Sequence, residues 1–419
     1  VALAATLALA LRLAWVQYAS RRPLGLYDPA RYADYAARIA DGRGYTQFTS
    51  GDPTAYYPPG YPYFLGVVRW FGDHLLPGDL PVLAGTVQAV LGAVTVVSGA
   101  VVARRLGGPR AALITAFVLA VYPNLVFHTG ALLSETLYNA LFLGAMAVLL
   151  WRPWAEGLPA ARLLSAAVLF SGAVLVRPIS IAVLPALALA WWLDRHELAV
   201  VGRRVGVFVA VVALALAPWM VRNLVRMDAL VLSTNTGDNL CIGHHEGASG
   251  GFALVPACDT GESTADSATA EVRHDRELTG QALRFVRSHP AEELRLVGRR
   301  AVVMFSHDSD AIAAVQSFGD DDFIPAATED RLATVADVSW WVVAGLGAIG
   351  MAGFVVRRRP EAVLVVLAAA ATLAVPLAFF GDARFKVPVV PLLVVAASTV
   401  LAAAWDRLAG DGDRATLAR

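Results

Sequence analysis

"RLLSAAVLFSGAVLVRPISIAVLPALALAWWL", residues 162–193, is the stretch on which the fold turns. A membrane helix needs roughly 20 apolar residues, so the run reads either as one crossing or as two short ones parted by "RP". Charge decides between them. With two spans, 162–176 and 179–193, the segments "ARRLGGPR" (103–110), "WRPWAEGLPAAR" (151–162), "DRHELAVVGRR" (194–204), "VRRRP" (356–360) and the C-terminal tail all fall on one side. One span would scatter those arginines over both faces. The positive-inside bias favours two spans and makes the arginine-rich side the cytoplasm.

The rest of the chain agrees with a polytopic all-α membrane protein. Of its 419 residues 57% are hydrophobic and only 16% charged, with a mean hydropathy of +0.57, whereas soluble domains carry about 25% charged residues. Further spans are expected at 1–18, 81–103, 111–127, 131–151, 205–221, 338–356, 361–380 and 387–405, about ten in all. The formal net charge is zero, which argues against a nucleic-acid partner. The chain divides into an N-terminal transmembrane module (1–221) with a first outer loop (19–80), an extracytoplasmic segment (222–337), C-terminal transmembrane helices (338–405) and a disordered cytoplasmic tail (406–419). Basic residues on the outer side run against the usual bias. Arg177, Arg384 and Lys386, the only lysine, therefore invite a functional explanation, because a charge at the hydrocarbon edge is costly unless paired.

The first outer loop holds "GLYDPARYADYAARIADGRGY" (25–45). Asp28 followed by Pro29 is a strong helix start. Tyr32, Tyr35, Ala36 and Ile39 then share one helical face, while Arg31, Asp34, Arg38 and Asp41 form a charge ladder on another. Asp28 lies off the ladder, at the membrane surface. Downstream, "PTAYYPPGYPYFLG" (53–66) is too proline-rich for helix before Gly60, and a second surface helix follows. Its aromatics, Tyr57 among them, suit either interfacial anchoring or a sugar-stacking platform.

The second outer segment opens with "STNTGDNLCIGHHEGASGGF" (233–252), read as loop or short strand. A helix is expected up to Pro290, then an amphipathic surface helix with Leu294, Val297, Ala301 and Phe305 on its apolar face. Cys241 and Cys258 allow one pairing in an oxidising compartment, worth about 3 kcal/mol; two free buried thiols are the alternative. His244 and His245 are adjacent, a poor arrangement for one metal, and "SHDSD" (306–310) and "GDDDF" (319–323) lack Ca-loop spacing and read as solvated loop.

In this order, the acidic residue after the first span, "PTAYYPPGYPYFLG", "LSETLYNALFL" (133–143), "VRPISIAVLPAL" (176–187), "NTGDNLCIGHHEGASGGF", "ALRFVRSHPAEELRLVGRRAVVMF" (282–305) and "DARFKVPVVPLL" (382–393) resemble the GT-C superfamily of membrane glycosyltransferases. The set is similar to bacterial glycosyltransferase family 39, related to protein O-mannosyltransferases and aminoarabinose transferases. The resemblance implies that Asp28 is catalytic, that the donor is a polyprenyl-phosphate monosaccharide, and that the sugar passes to a glycan, lipid or protein acceptor outside the cytoplasm. It also places Glu135 near the cavity and "ARF" (383–385) near the donor phosphate. Pro29 stands where the family often has Glu, so a second carboxylate is absent there. The resemblance fixes no cofactor and leaves a divalent metal open.

Transfer to a hydroxyl needs a base, for which Asp28 is the candidate, and cations for the leaving phosphate, for which Arg384 and Lys386 are candidates with Arg177 in reserve. Glu135 and Tyr57 complete the expected substrate-binding set. Arginine- and alanine-rich usage suggests a bacterial inner-membrane protein. A transporter or lipid-sugar flippase is the competing reading, although it would place its charges nearer the bilayer midplane. A non-catalytic assembly subunit is a third.

Overall fold

A computed structural model describes residues 1–23, 28–48, 50–195, 197–253, 255–258, 267–317 and 323–417. The chain is helical throughout, with only isolated β-bridges among the described residues. In order come α1 (Ala2–Ala19), α2 (Asp28–Ala40), α3 (Gly60–His74), α4 (Leu80–Val121), α5 (Pro123–Phe127) and α6 (Glu135–Leu150). Next are α7 (Ala160–Val176), a 3₁₀ turn (Pro178–Val183), α8 (Leu184–Arg195), α9 (Leu198–Met227), α10 (Thr236–Gly243), α11 (Ala268–Ser288), α12 (Pro290–Ser306) and α13 (Asp310–Ser317). The chain ends with α14 (Ala326–Arg357), α15 (Pro360–Leu377), a second 3₁₀ turn (Ala383–Val389) and α16 (Val390–Leu417). The last helix continues through the segment expected as a disordered tail.

Seven of these segments are long and apolar enough to cross a membrane, and α6 and α7 are apolar but shorter. The 42-residue α4 is two arms folded at Gly108, whose φ of 84° and ψ of −173° only glycine adopts without strain. The arms lie side by side, with Gly99 against Leu119 and Thr115. The 162–193 run is likewise two helices, broken at Arg177, which is extended (φ −142°, ψ 107°). α4 packs on α1, α6 and α16, while α14 covers α16 and α15 covers α8.

Arg12 lies inside α1, buried, with no ion pair to a carboxylate among the described residues. Its guanidinium donates to the carbonyls of Ala120 at 3.0 Å and Leu119 at 3.1 Å. Pro123 has no N–H to offer Leu119, so Arg12 supplies the donor that the end of α4 lacks. The charge is structural there, not part of a polar path.

The arginine-rich turns gather at one end of the bundle. Arg105 meets Glu361 at 2.6 Å, and Arg204 meets Asp194 at 3.0 Å. At the other end lie α2, α3 and the α10–α13 segment. Tyr32, Tyr35 and Ala36 are buried as the helical spacing predicts, in a tyrosine cluster with Tyr45, Tyr57 and Tyr61. Each such ring pair adds about 0.5–1.5 kcal/mol beyond burial. The charge ladder pairs differently from its spacing: Arg38 donates to Thr46 at 3.1 Å and to the Phe48 carbonyl at 2.7 Å, and Asp41 pairs with Arg43.

Two further expectations are corrected. Residues 236–243 form α10, not loop or strand; its glycines are tolerated because Gly243 packs where a Cβ would overlap the Phe379 carbonyl. On α12 the protein-facing side is Leu296, Arg300 and Met304, while Leu294 and Val297 point outward, in line with an apolar face turned to a membrane surface. In "SHDSD" the carboxylate of Asp308 is wholly buried, not solvated. Residues 319–322 of "GDDDF" lie outside the described residues. Cys241 and Cys258 are joined, with Cα atoms 5.7 Å apart.

Candidate active site

Five residues from separate stretches of chain meet at the end of the bundle that carries α2 and α3. Asp28 begins α2, Tyr57 lies in the proline-rich loop, Glu135 begins α6, Arg177 follows α7, and Arg384 lies in the Ala383–Val389 turn. The Tyr57 hydroxyl donates to Asp28 Oδ1 at 2.7 Å, and Arg384 Nη2 donates to Asp28 Oδ2 at 2.8 Å. Arg384 Nε lies 3.2 Å from Glu135 Oε1, which also accepts from Arg177 Nη1. Arg384 thus bridges the two carboxylates, and Glu135 bridges the two guanidinium groups.

Local contacts explain how each arrives. α3 can start against the end of α7 because Gly60 has no Cβ; one would sit 2.7 Å from the Leu175 carbonyl carbon. The loop before it is tied down by buried Glu271, which accepts from Thr54 Oγ1 at 2.6 Å, Ala55 N at 2.9 Å, Gln47 Nε2 at 2.9 Å and the Thr234 hydroxyl. Arg222 holds the same loop through the Thr54 carbonyl at 2.7 Å. On the Arg384 side, Asp382 caps the turn by accepting from Arg384 N at 2.9 Å. The preceding residues are fixed by Gly381 N to the Gly250 carbonyl at 2.7 Å and by Arg300 to the Leu377 carbonyl at 2.9 Å. Sequence reading missed Glu271 and Arg300, because each sits in a helix whose polar positions look like an ordinary solvated face.

The four charges sum to zero, but they are not equally accessible. The side chains of Asp28 and Arg384 are 30% and 23% exposed, Arg177 is 14% exposed, and Glu135 is completely enclosed. Glu135 Oε2 has no hydrogen-bond partner among the described residues. Burial, reinforced by Asp28, pushes the Tyr57 and Tyr32 hydroxyls above the ordinary phenol range, so both remain donors. The set does not suit a divalent metal. Asp28 already has both oxygens engaged, two guanidinium groups stand among the carboxylates, and the described residues hold no group of three His, Cys, Asp or Glu side chains able to ligate one. His244 faces Glu293 at 3.2 Å, and His245 is half-buried with its ring nitrogen against the Glu246 carbonyl.

Lys386 is not brought to Asp28. It is fully buried, 3.1 Å from Asp308 Oδ1, bonded to the carbonyls of Ala383 and His307, with its ammonium 5.0 Å from the centre of the Trp340 ring. Tyr122 donates to Asp308 Oδ2 at 2.7 Å. Beside this pair, His128 Nε2 lies 3.3 Å from Asp310, which also accepts from Asn124 at 3.0 Å. Burial raises the Asp308 carboxyl despite Lys386. For Asp310 burial acts the same way but is outweighed by His128, and the group is lowered. This network anchors the arginine-bearing turn and was invisible in the sequence as anything but loop.

Two hollows lie on the α1 side. A larger one of about 440 Å³ is walled by apolar groups of Leu11, Trp15, Tyr18, Val126, Phe127 and Val335. A smaller one, of about 20 Å³, is bordered by Ala19, Arg21, Gly130 and Pro29, the neighbour of Asp28.

No family profile and no curated protein matches the chain. Among solved structures it is similar to the oligosaccharyltransferase AglB from Archaeoglobus fulgidus, in complex with an inhibitory peptide and a dolichol-phosphate. The TM-score is 0.54 at 16% identity, over 97% of this chain and 50% of that one. The same enzyme tethered to an acceptor peptide gives a TM-score of 0.51 at 16% identity, over 97% and 49% of the two chains. ArnT from Cupriavidus metallidurans bound to undecaprenyl phosphate gives 0.45 at 17% identity, over 95% of this chain and 77% of that one. The chain spans about half the length of the AglB structures. Across nearly all of its own length it shares the helical membrane fold of the matching half of the AglB structures.

Proposed function

We propose that the chain is a glycosyltransferase that moves a monosaccharide from a polyprenyl-phosphate donor to an acceptor hydroxyl, with inversion, at the extracytoplasmic face of a bacterial plasma membrane. The observation that carries the reading is the convergence of Asp28, Tyr57, Glu135, Arg177 and Arg384 at the end of the bundle opposite the arginine-rich turns. The dolichol-phosphate and inhibitory peptide held by AglB support it, since a lipid phosphate and an acceptor chain are the two partners this chemistry needs.

In this mechanism the acceptor oxygen attacks the anomeric carbon while its proton passes to Asp28. The bond from that carbon to the phosphate oxygen breaks, and its electron pair leaves with the phosphate. The phosphodiester monoanion becomes a monoester carrying more negative charge, which Arg384 and Arg177 stabilise. Attack from the face opposite the leaving group inverts the centre. Glu135 keeps both guanidinium groups in position, and Tyr57 orients the base. Lys386 acts through the Ala383–Val389 turn, as its anchor. The hollow beside Trp15 and Phe127 offers apolar surface to a polyprenyl tail, and residues 1–221, which contain Asp28, Glu135 and Arg177, form the catalytic module. The acceptor is a glycan, lipid or protein.

The test is transfer of labelled sugar from a polyprenyl-phosphate donor by the purified chain in lipid nanodiscs. Asp28→Asn is expected to slow transfer by about 10²–10⁴-fold, the contribution of a general base. Transfer at the wild-type rate by Asp28→Asn removes the base assignment. Wild-type protein that transfers nothing but moves lipid-linked sugar between leaflets replaces the enzyme with a flippase.

A further inference from the structure

We infer that the Asp28–Arg384 ion pair is a latch that the donor phosphate opens, so that the base becomes competent only after the donor has bound. The inference rests on the transferase reading and deepens it. Both oxygens of Asp28 are engaged: Oδ1 accepts from Tyr57 at 2.7 Å and Oδ2 from Arg384 at 2.8 Å. Drawing Arg384 away frees Oδ2 for the acceptor's proton.

The geometry gives Arg384 the means to move without leaving. Its Nη2 serves Asp28, whereas its Nε faces Glu135 Oε1 at 3.2 Å. The Glu135 end is enclosed and inaccessible, and the Asp28 end is partly open to solvent. An incoming anion can therefore compete for Nη2 while Glu135 retains the rest of the guanidinium. A phosphate matches the guanidinium fork and bears a full negative charge, so it is a strong competitor. As Nη2 turns to the phosphate, Oδ2 of Asp28 is released from its contact with Arg384 and opens towards the acceptor. Tyr57 keeps Oδ1, so the freed oxygen stays in place for the acceptor.

Because the carboxylate and the phosphate compete for one cation, removing the carboxylate's charge should strengthen phosphate binding even though it abolishes transfer. The experiment measures farnesyl phosphate affinity for the full chain in nanodiscs, as wild type, Asp28→Asn, Arg384→Gln and the double variant. Asp28→Asn is expected to bind roughly 3- to 10-fold more tightly, the size of a partly exposed ion pair. Arg384→Gln is expected to bind more weakly, and Asp28→Asn to add nothing in its background. Inorganic phosphate shows the same order at lower affinity if the headgroup alone opens the latch; the same order with farnesyl phosphate only means that the tail must seat the headgroup first. If Asp28→Asn does not fold, Asp28→Ser, which can still accept from Tyr57, carries the same expectation. Equal or weaker binding by Asp28→Asn overturns the latch, as does a gain that persists without Arg384. Absence of binding by wild type removes the transferase reading beneath it.

Discussion

Glu135 is the residue whose removal tests the architecture of the site most directly. It is enclosed, it accepts from Arg177, and its Oε1 lies 3.2 Å from Arg384 Nε. Glu135→Gln preserves shape but removes the charge that compensates two cations. The amide can direct its oxygen towards Arg177 only by placing its NH₂ where Oε2 now lies, an enclosed position with no partner among the described residues. Breaking a buried pair by deleting one partner costs about 3–5 kcal/mol. Here Arg177 and Arg384 keep some solvent and Arg384 keeps Asp28, so a loss of about 2–4 kcal/mol is expected. For a chain of this size that is a drop of roughly 2–5 °C in the apparent unfolding midpoint, read at one scan rate because membrane proteins unfold irreversibly. Adding Arg177→Met should recover part of the loss, since it removes the cation left without a counter-charge. A midpoint within a degree of wild type, or a double variant whose losses simply add, would refute the claim that Glu135 holds the two arginines.

Tyr57→Phe removes one hydrogen bond to Asp28 and is expected to lower transfer about 10-fold with donor affinity unchanged, measured as kcat and KM. Reduction of the Cys241–Cys258 bridge, or replacement of both residues by Ser, should cost about 3 kcal/mol and appear as earlier thermal unfolding in dithiothreitol. His274 is raised by its hydrogen bond to Asp238 (2.9 Å), against the opposing effect of burial. A raised histidine contributes its stability below the unfolded value of about 6.5 and loses it as pH climbs through the folded value. Hydrogen exchange in α10 and α11 should therefore quicken as pH rises from about 6.5, beyond the intrinsic rate increase, and Asp238→Asn should abolish that extra dependence.

What the sequence made legible follows from what needs only local information. The break at Arg177 was readable because the bias of arginine in the turns is a sum over short segments, and Arg105–Glu361 and Arg204–Asp194 do lie together at one end. The helix from Asp28 was readable from Asp-Pro and the tyrosine spacing. The partners of Asp28 were not readable as contacts, since Tyr57 and Arg384 lie 29 and 356 residues away. Lys386 shows the limit most clearly. In the sequence it is two residues from Arg384 and shares its charge, so the same role was natural for both. The segment is a 3₁₀ turn, however, and at three residues per turn positions two apart point about 240° around the axis from one another. One cation reaches Asp28 and the other is driven into the core, where Asp308 had to follow it. The buried "SHDSD" carboxylate is the consequence of that geometry, and no local pattern in 306–310 records it.

The same geometry separates the two carboxylates of the site. Asp28 and Glu135 both pair with Arg384, and their charges together cancel those of the two arginines. A phosphate arriving at a neutral cluster has no net attraction to rely on, so its binding depends on displacing one carboxylate from one guanidinium. Only Asp28 can be displaced, because Glu135 is enclosed and holds both arginines at once. Neutralising Asp28 should thus favour the anion and leave the fold intact, whereas neutralising Glu135 should free the arginines and damage the fold. If Glu135→Gln instead leaves the midpoint unchanged and tightens farnesyl phosphate binding as much as Asp28→Asn does, the carboxylates are interchangeable. Arg384 then has no fixed anchor, and the ordered opening of the base loses its physical basis.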